Sequence, residues 1–395
     1  MDDKKKTIYM TIVLIGFVSM MGDTVYEGGR GVVPDYLQVL GASAFVVGFV
    51  SGLGDFLGYA LRFVSGYITD ERRTYWEFMF LGYGLVVAIP LLSITNVFSL
   101  AATLVVLERV GKAIRSPARD TIVSLVSKGV GVGRAFGLHE LLDQVGAVIG
   151  PLLVSALMYF TMNNYSITFG VLFIPYFALL VILFFMYTKV RAKVSEEMPR
   201  KPRGDFRLSK GFYFYMFSVA ASMLGLIHVS LILYKAAIIL NPINQQWIVP
   251  LLFMLVQLVD APAALISGIL FDKYGLKVLY LPLVISVVPT FFVYQGGDLF
   301  SLILASASFG IVLGMQESIY RAAVSHFAPT ESRGTAYGLF NTIYGIGFLI
   351  SGVIFGLFLD SHIALPIVVS YSVMFEAVAV VLLFKSIRSP KIIQT

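Results

Sequence analysis

Apolar runs follow one another from end to end of this chain, parted only by short polar turns. A bilayer core of about 30 Å is spanned by about 20 helical residues. Twelve runs long enough to do so are predicted, at 8–39, 44–66, 75–93, 97–125, 134–160, 166–188, 211–238, 247–271, 276–295, 299–325, 334–360 and 364–386. Within lipid a backbone must satisfy its own N–H and C=O groups, so the runs are predicted as transmembrane helices. Gly41-Ala-Ser43, Asn163-Asn164, Asn241-Pro-Ile-Asn244 and Gly296-Gly-Asp298 supply turns between them. Only 13% of residues are charged and 58% are apolar, against about 25% charged in a soluble protein. No soluble domain has room to hide. The first run follows Lys4-Lys5-Lys6 as a secretion signal would. It then runs into Asp23 and Glu27 without a small-residue cleavage site, and reads as a retained helix. There is no cysteine, which excludes thiolate metal sites, disulfides and cysteine nucleophiles.

The two halves echo each other. Gly66-Tyr-Ile-Thr-Asp70 returns as Gly268-Ile-Leu-Phe-Asp272, and Arg134-Ala-Phe-Gly-Leu138 as Thr335-Ala-Tyr-Gly-Leu339. The chain therefore reads as a duplicated membrane unit, an all-α protein of twelve transmembrane helices in two pseudo-symmetric six-helix bundles. Residues 1–188 form the first bundle and 211–395 the second. Residues 189–210, with eight Lys or Arg, Pro199, Pro202 and Gly204, form a basic linker. Most of the 29 Lys and Arg fall at one face of this map, and the opposite loops hold Asp298, Asp360 and His362 instead. Cytoplasmic loops collect Lys and Arg, so both termini and the linker are predicted to be cytoplasmic, in a multi-pass protein of the cell membrane. Topology accounts for the net charge of +6, and no nucleic-acid partner is needed.

Ionisable residues inside the spans cost about 2.5–3.5 kcal/mol each on insertion scales, and normally face the protein interior. Asp23 and Glu27 are four apart and share a helix face, with Arg30 a turn further on. Gly28, Gly29, Gly31 and Pro34 predict a bend or unwinding there. Asp55 and Arg62 share a face of the second span. Glu108, Lys112, Arg115 and Arg119 form one stripe of the fourth. In the fifth, Asp143 is at the depth of Arg115 or Arg119. Two carboxylates on one face repel and can exchange a proton or cation, which makes Asp23 and Glu27 the first coupling candidates and Glu108 the next. Arg30, Asp55, Arg62, Lys112 and Arg115, with Tyr26, Tyr59 and Tyr344, are the candidate cavity wall. Helix-end charges more often make structural ion pairs. Gly66, Asp70, Arg73, Arg119, Asp120, Asp143 and Asp272 are accordingly read as a conformational latch. His228 reads as a satisfied polar helix residue, and Glu317 and Arg321 as an i, i+4 pair.

At these residues the chain resembles the major facilitator superfamily of transporters. Gly66 to Arg73 is similar to that family's loop signature Gly-x-x-x-Asp-[Arg/Lys]-x-Gly-[Arg/Lys]-[Arg/Lys], with Glu71 where a cation is usual and Arg73 where Gly is usual. The copy from Gly268 to Gly275 fits its core better. Gly146-Ala-Val-Ile-Gly150-Pro151 resembles the fifth-helix motif associated with antiporters, in which glycines allow close helix approach and Pro151 a kink. Leu107 to Asp120, followed by Arg134 to His139 and Asp143, looks like a largely uncharacterised prokaryotic branch. The resemblance implies a monomer, protons as coupling partner and a small-molecule substrate. It implies neither cofactor nor metal.

The leading expectation is a secondary active transporter working by alternating access, through proton-coupled export. Proton-coupled uptake of an organic anion, a lipid flippase and a transporter-like receptor stay open. An enzyme is disfavoured. His139-Glu140 has no second His four residues on, and no Gly-x-Ser-x-Gly elbow or Walker loop is present.

Overall fold

The computed structural model describes residues 3–127, 131–196, 208–328 and 333–389. Half of the linker (197–207), Lys128 and Lys391 lie outside the described residues. The chain folds as twelve passes: α1 (Asp3–Val39), α2 (Ala44–Arg72), α3 (Tyr75–Ile94), α4 (Phe98–Val126), α5 (Val132–Phe160), α6 (165–196), α7 (210–240), α8 (Val249–Tyr274), α9 (275–295), α10 (Leu299–Phe327), α11 (Arg333–Asp360) and α12 (Leu365–Arg388). Among the described residues, ten stretches are long and apolar enough to span a membrane. One of them, Gln246–Gln295, is two passes parted at Gly275, whose φ of 63° suits a residue without Cβ. The remaining pass is α4, whose charged stripe keeps it off the apolar set.

Loop chemistry stops the helices where the turn signals stood. Ser43, Asn164 and Asp298 cap α2, α6 and α10 by accepting backbone N–H groups. Gly41 and Asn244 hold positive φ in the turns. Departures lie inside helices. Despite three glycines and Pro34, α1 stays helical throughout. Its glycines are consumed by packing instead: a Cβ on Gly28 would meet the Gly150 carbonyl, and one on Gly31 would meet Pro250. The seventh pass, expected as one helix, breaks at Leu226–His228 into Lys210–Gly225 and Val229–Leu240. Ser351 of α11 donates to the freed Leu226 carbonyl, and His228 caps the second piece. α10 carries a π turn at Gln316–Tyr320, a feature that often marks functional sites. α6 runs on to Glu196, past the expected bundle edge at 188.

α2 lies on α11 and α5 on α8 along the seam between the halves. Gly48 and Gly352 put backbone against backbone there, and a Cβ on either would collide with the other's carbonyl. The seam is tied at the end opposite the chain termini. Asn163 Nδ2 donates to Asn244 Oδ1 (2.9 Å) and Gln246 Oε1 (3.0 Å). Ser155 Oγ donates to the Trp247 carbonyl (2.6 Å). Asp360, ending α11, accepts the first two N–H groups of α2 at 2.9 Å each. With the far end held, the interior space lies nearer the end carrying the termini.

Candidate functional site

Helix spacing and two glycines set the centre of the site. Asp23, Glu27 and Arg30 share one face of α1, and all three line a central cavity of about 190 Å³. Gly146 and Gly150 of α5 allow that helix to lie directly on α1. A Cβ at Gly146 would sit 2.9 Å from the Asp23 Cβ, and one at Gly150 would sit 2.6 Å from the Thr24 carbonyl. Asp23 and Glu27 are consequently buried, at 7% and 4% exposure. Glu27 is neutralised by Lys112 Nζ (3.4 Å) and Arg30 Nη1 (3.7 Å). Asp23 is different: among the described residues no cation comes within 4.0 Å of it, and its nearest charges include Asp143, Lys112 and Glu27.

Asp55 of α2 is the hub behind this face. It meets Arg30 Nη2 (3.2 Å), Arg109 Nε (3.6 Å) and His228 Nε2 (3.1 Å), from α1, α4 and α7. The Ser230 backbone N–H donates to His228 Nδ1 at 3.2 Å. The ring's one proton then belongs on Nε2, which donates to Asp55 Oδ2. The charged hub of the first half is thus tied to the second half through the His228 imidazole. Arg109, which the sequence did not single out, and His228, read there as a satisfied polar helix residue, both belong to this hub. Arg109 lies one position off the Glu108–Arg119 stripe, and its stem passes over Gly54. The helix break that frees His228 to reach Asp55 is made by tertiary contacts.

That α4 stripe divides. Lys112, Arg115 and Arg119 line the cavity. Glu108, 1% exposed, faces Arg109 (3.5 Å) and Arg115 (3.8 Å) beside a separate void of about 30 Å³. Aromatic faces hold several of these cations. Lys112 Nζ stands 4.3 Å and Arg115 Cζ 4.9 Å from the Tyr26 ring centre, and Arg62 Cζ 4.9 Å from that of Tyr59. Tyr344 sits behind Tyr59, edge to face at 5.1 Å, and donates to Gln316 Oε1.

Nearer the terminal end, Arg119 binds Asp120 (3.0 Å) and Asp143 (3.3 Å), so Asp143 answers Arg119 rather than Arg115. Ser19 accepts from Arg119 and hydrogen-bonds His139 and Tyr83. Gly66, Asp70, Arg73 and Asp272 stand apart from this cluster. Gly66 packs on Pro117, Asp70 accepts from Tyr75 (3.0 Å), Arg73 is an exposed left-handed C-cap, and Asp272 is exposed. Candidate ligand atoms of His139, Glu140 and Asp143 lie within 4.8 Å of one another. Arg119 already supplies positive charge there, which works against a metal ion. Glu317 and Arg321 both reach the cavity without closing to ion-pair distance.

The second half contributes Phe253, Gln257, Asp260, Phe309 and Leu313 to the same cavity. The first-half wall is densely charged, and the second-half wall sets Phe253, Phe309 and Leu313 among Asp260, Glu317 and Arg321, a lining suited to a small amphipathic solute. The Major Facilitator Superfamily sequence profile matches residues 12–384. An uncharacterized protein of Mycobacterium tuberculosis is 34% identical over 389 residues, covering 96% of this chain and 93% of that one. An uncharacterized MFS-type transporter of Methanocaldococcus jannaschii is 27% identical over 361 residues, 90% of each chain. In fold, the chain is similar to the inward-facing, occupied crystal structure of a bacterial homolog of the human lysosomal transporter Spinster. The TM-score is 0.70 at 14% identity, over 99% of this chain and 98% of that one. A cavity walled by two pseudo-symmetric six-helix bundles and a family match across nearly the whole sequence lead to one assignment: the chain belongs to the Major Facilitator Superfamily, as a multi-pass membrane transporter and not an enzyme.

Proposed function

We propose that this transporter moves a small organic solute by alternating access, as proton-coupled export, with Asp23 and Glu27 as the proton or cation acceptors. Residues 1–188 and 211–395 are the rocking bundles, and 189–210 is the basic linker. The terminal end faces the cytoplasm, because Lys and Arg concentrate there, in the cell membrane and as a monomer. The observation that carries the coupling assignment is Asp23: a buried, cavity-lining carboxylate beside Glu27 and Asp143, without a cation within 4.0 Å among the described residues. An acid so placed is costly when charged and gains from a proton or a cationic ligand. Glu108 acts one step removed, through Arg109 and Arg115. Arg119 with Asp120 and Asp143 forms the latch. Uptake of an organic anion is weaker, since Lys112, Arg115 and Arg119 already hold carboxylates.

A thermal-shift screen on the purified chain finds stabilising solutes, because a ligand of the native state raises its stability with occupancy. The hits are then added to liposomes carrying the protein, an imposed pH gradient and a lumenal pH dye. Solute-dependent proton movement, lost in the Asp23→Asn, Glu27→Gln double variant, is expected. Solute movement without protons, or unchanged coupling in that variant, refutes the assignment.

A further inference from the structure

The cavity holds a second set of acids that the α1 site does not use. Asp260 of α8, Glu317 in the π turn of α10 and Glu140 of α5 all line it, from both sides of the seam. Asp260 is 6% exposed, and its Oδ1 has no hydrogen-bond partner. Its charged neighbours are Glu317, Glu140 and Glu27, with Gln144 of α5 alongside. Arg321 stands near Glu317 and Glu140, but no cation answers Asp260. Arg30, Arg109, Lys112, Arg115 and Arg119 each lie within 4.0 Å of some other carboxylate. Arg62 lies over Tyr59. Arg321, a turn beyond Glu317, makes no ion pair within that distance among the described residues. Asp260, buried on a void with no cation committed to it, calls for a cationic occupant, and the exposed Glu140 and Glu317 add negative charge beside it.

Geometry narrows the class. Among the described residues, His139, Glu140 and Asp143 are the only three His, Asp or Glu whose ligand atoms gather within 4.8 Å. Asp260, Glu317 and Glu140 are therefore spread too widely to share a bare metal ion at its usual ligand distances. A nitrogen cation on a carbon frame can reach across such a gap. Phe253, Phe309 and Leu313 line the cavity from the same half as Asp260. They offer an apolar surface and, in the two rings, cation–π contact. We infer that Asp260 binds the ammonium or guanidinium group of an organic cation, with Glu317 and Glu140 supplying negative charge around it, and that the cation's apolar body rests on Phe253, Phe309 and Leu313. The inference deepens the export reading, since it takes the central cavity as the solute's path. Among the described residues, four carboxylates face that path without an ion pair within 4.0 Å: Asp23, Glu140, Asp260 and Glu317.

Equilibrium binding tests this without any transport assay, so it can fail while transport of another solute is intact. The full chain in nanodiscs is titrated calorimetrically with a series from methylamine and guanidine through 2-phenylethylamine to spermidine. Phenylacetate, 2-phenylethanol and sodium chloride serve as anionic, neutral and metal-ion controls. At least one amine or guanidine is expected to bind, arylalkyl members tighter than methylamine. Asp260→Asn should weaken binding about tenfold or more, the scale of one charge-assisted hydrogen bond. Glu140→Gln and Glu317→Gln should weaken it less. If Asp260→Asn does not fold, the Glu140→Gln, Glu317→Gln pair carries the test. Absence of binding across the series, equal binding of phenylacetate or 2-phenylethanol, displacement of every amine by sodium alone, or undiminished affinity in the folded variants overturns the inference.

Discussion

His228 Nε2 donates to Asp55 Oδ2 across 3.1 Å, and that one bond ties the broken seventh helix of the second half to the charged hub of the first. Both residues are buried. A carboxylate stripped of a buried partner keeps its desolvation penalty, so His228→Ala should destabilise the protein by about 1–3 kcal/mol. Asp55→Ala removes the shared partner of Arg30, Arg109 and His228, and should cost more, about 3–5 kcal/mol. Thermal unfolding in detergent checks the order. Equal or smaller loss in Asp55→Ala would contradict the hub.

The seam depends on glycine. Gly352→Val places a branched side chain on the Gly48 carbonyl, where even a Cβ does not fit. The far end should then lose its closed state. The chain has no cysteine, so a single reporter at Ser43→Cys reads this directly. Its reaction with a membrane-impermeant maleimide should rise at least severalfold in the Gly352→Val background and remain unchanged in Ile350→Val, a partly exposed position on the same helix.

Asp360 caps α2 from the end of α11 through two N–H groups. Losing such a cap costs about 0.5–2 kcal/mol. Under alternating access this contact breaks when the far end opens, so Asp360→Ala should also shift the conformational balance, raising the same Ser43→Cys reactivity by about twofold to thirtyfold if the loss falls wholly on the closed state. A drop in melting temperature with unchanged reactivity would make the cap purely structural.

Packing of α5 on α1 fixes where Asp23 sits. Gly146→Ala should lower stability by about 1–3 kcal/mol through overpacking against Met20 and Asp23. Gly137→Ala, on the same helix with open space around it, should stabilise or be neutral. The contrast is read from paired melting curves.

Much of this was legible in the residues, and the omissions share a cause. Helical spacing put Asp23 and Glu27 on one face, and equal depth matched Asp143 to the cations of α4. Those inferences need only periodicity. Glu108 belongs to the same stripe as Lys112, yet a stripe has width, and Glu108 turns toward Arg109 rather than the cavity. Pro34 with three glycines suggested an unwound α1, while the actual break lies at Leu226–His228, where the Ser351 hydroxyl satisfies the Leu226 carbonyl and the His228 ring accepts the Ser230 N–H. The π turn at Gln316–Tyr320 has no marker in its own residues. It is held by Tyr215 donating to the Tyr320 carbonyl and by Tyr344 donating to Gln316. Such features are set by partners remote in sequence.

Alternating access itself is tested most directly by measuring both ends of the seam in one protein. Spin labels at Asn163→Cys and Asn244→Cys report the far end, and at Gly133→Cys and Tyr274→Cys the terminal end. Pulsed dipolar distances in nanodiscs, taken across pH and with a stabilising solute, should change reciprocally: as the far-end pair separates, the terminal pair approaches. Two ends that open together, or distances that stay single and fixed under every condition, would contradict the account.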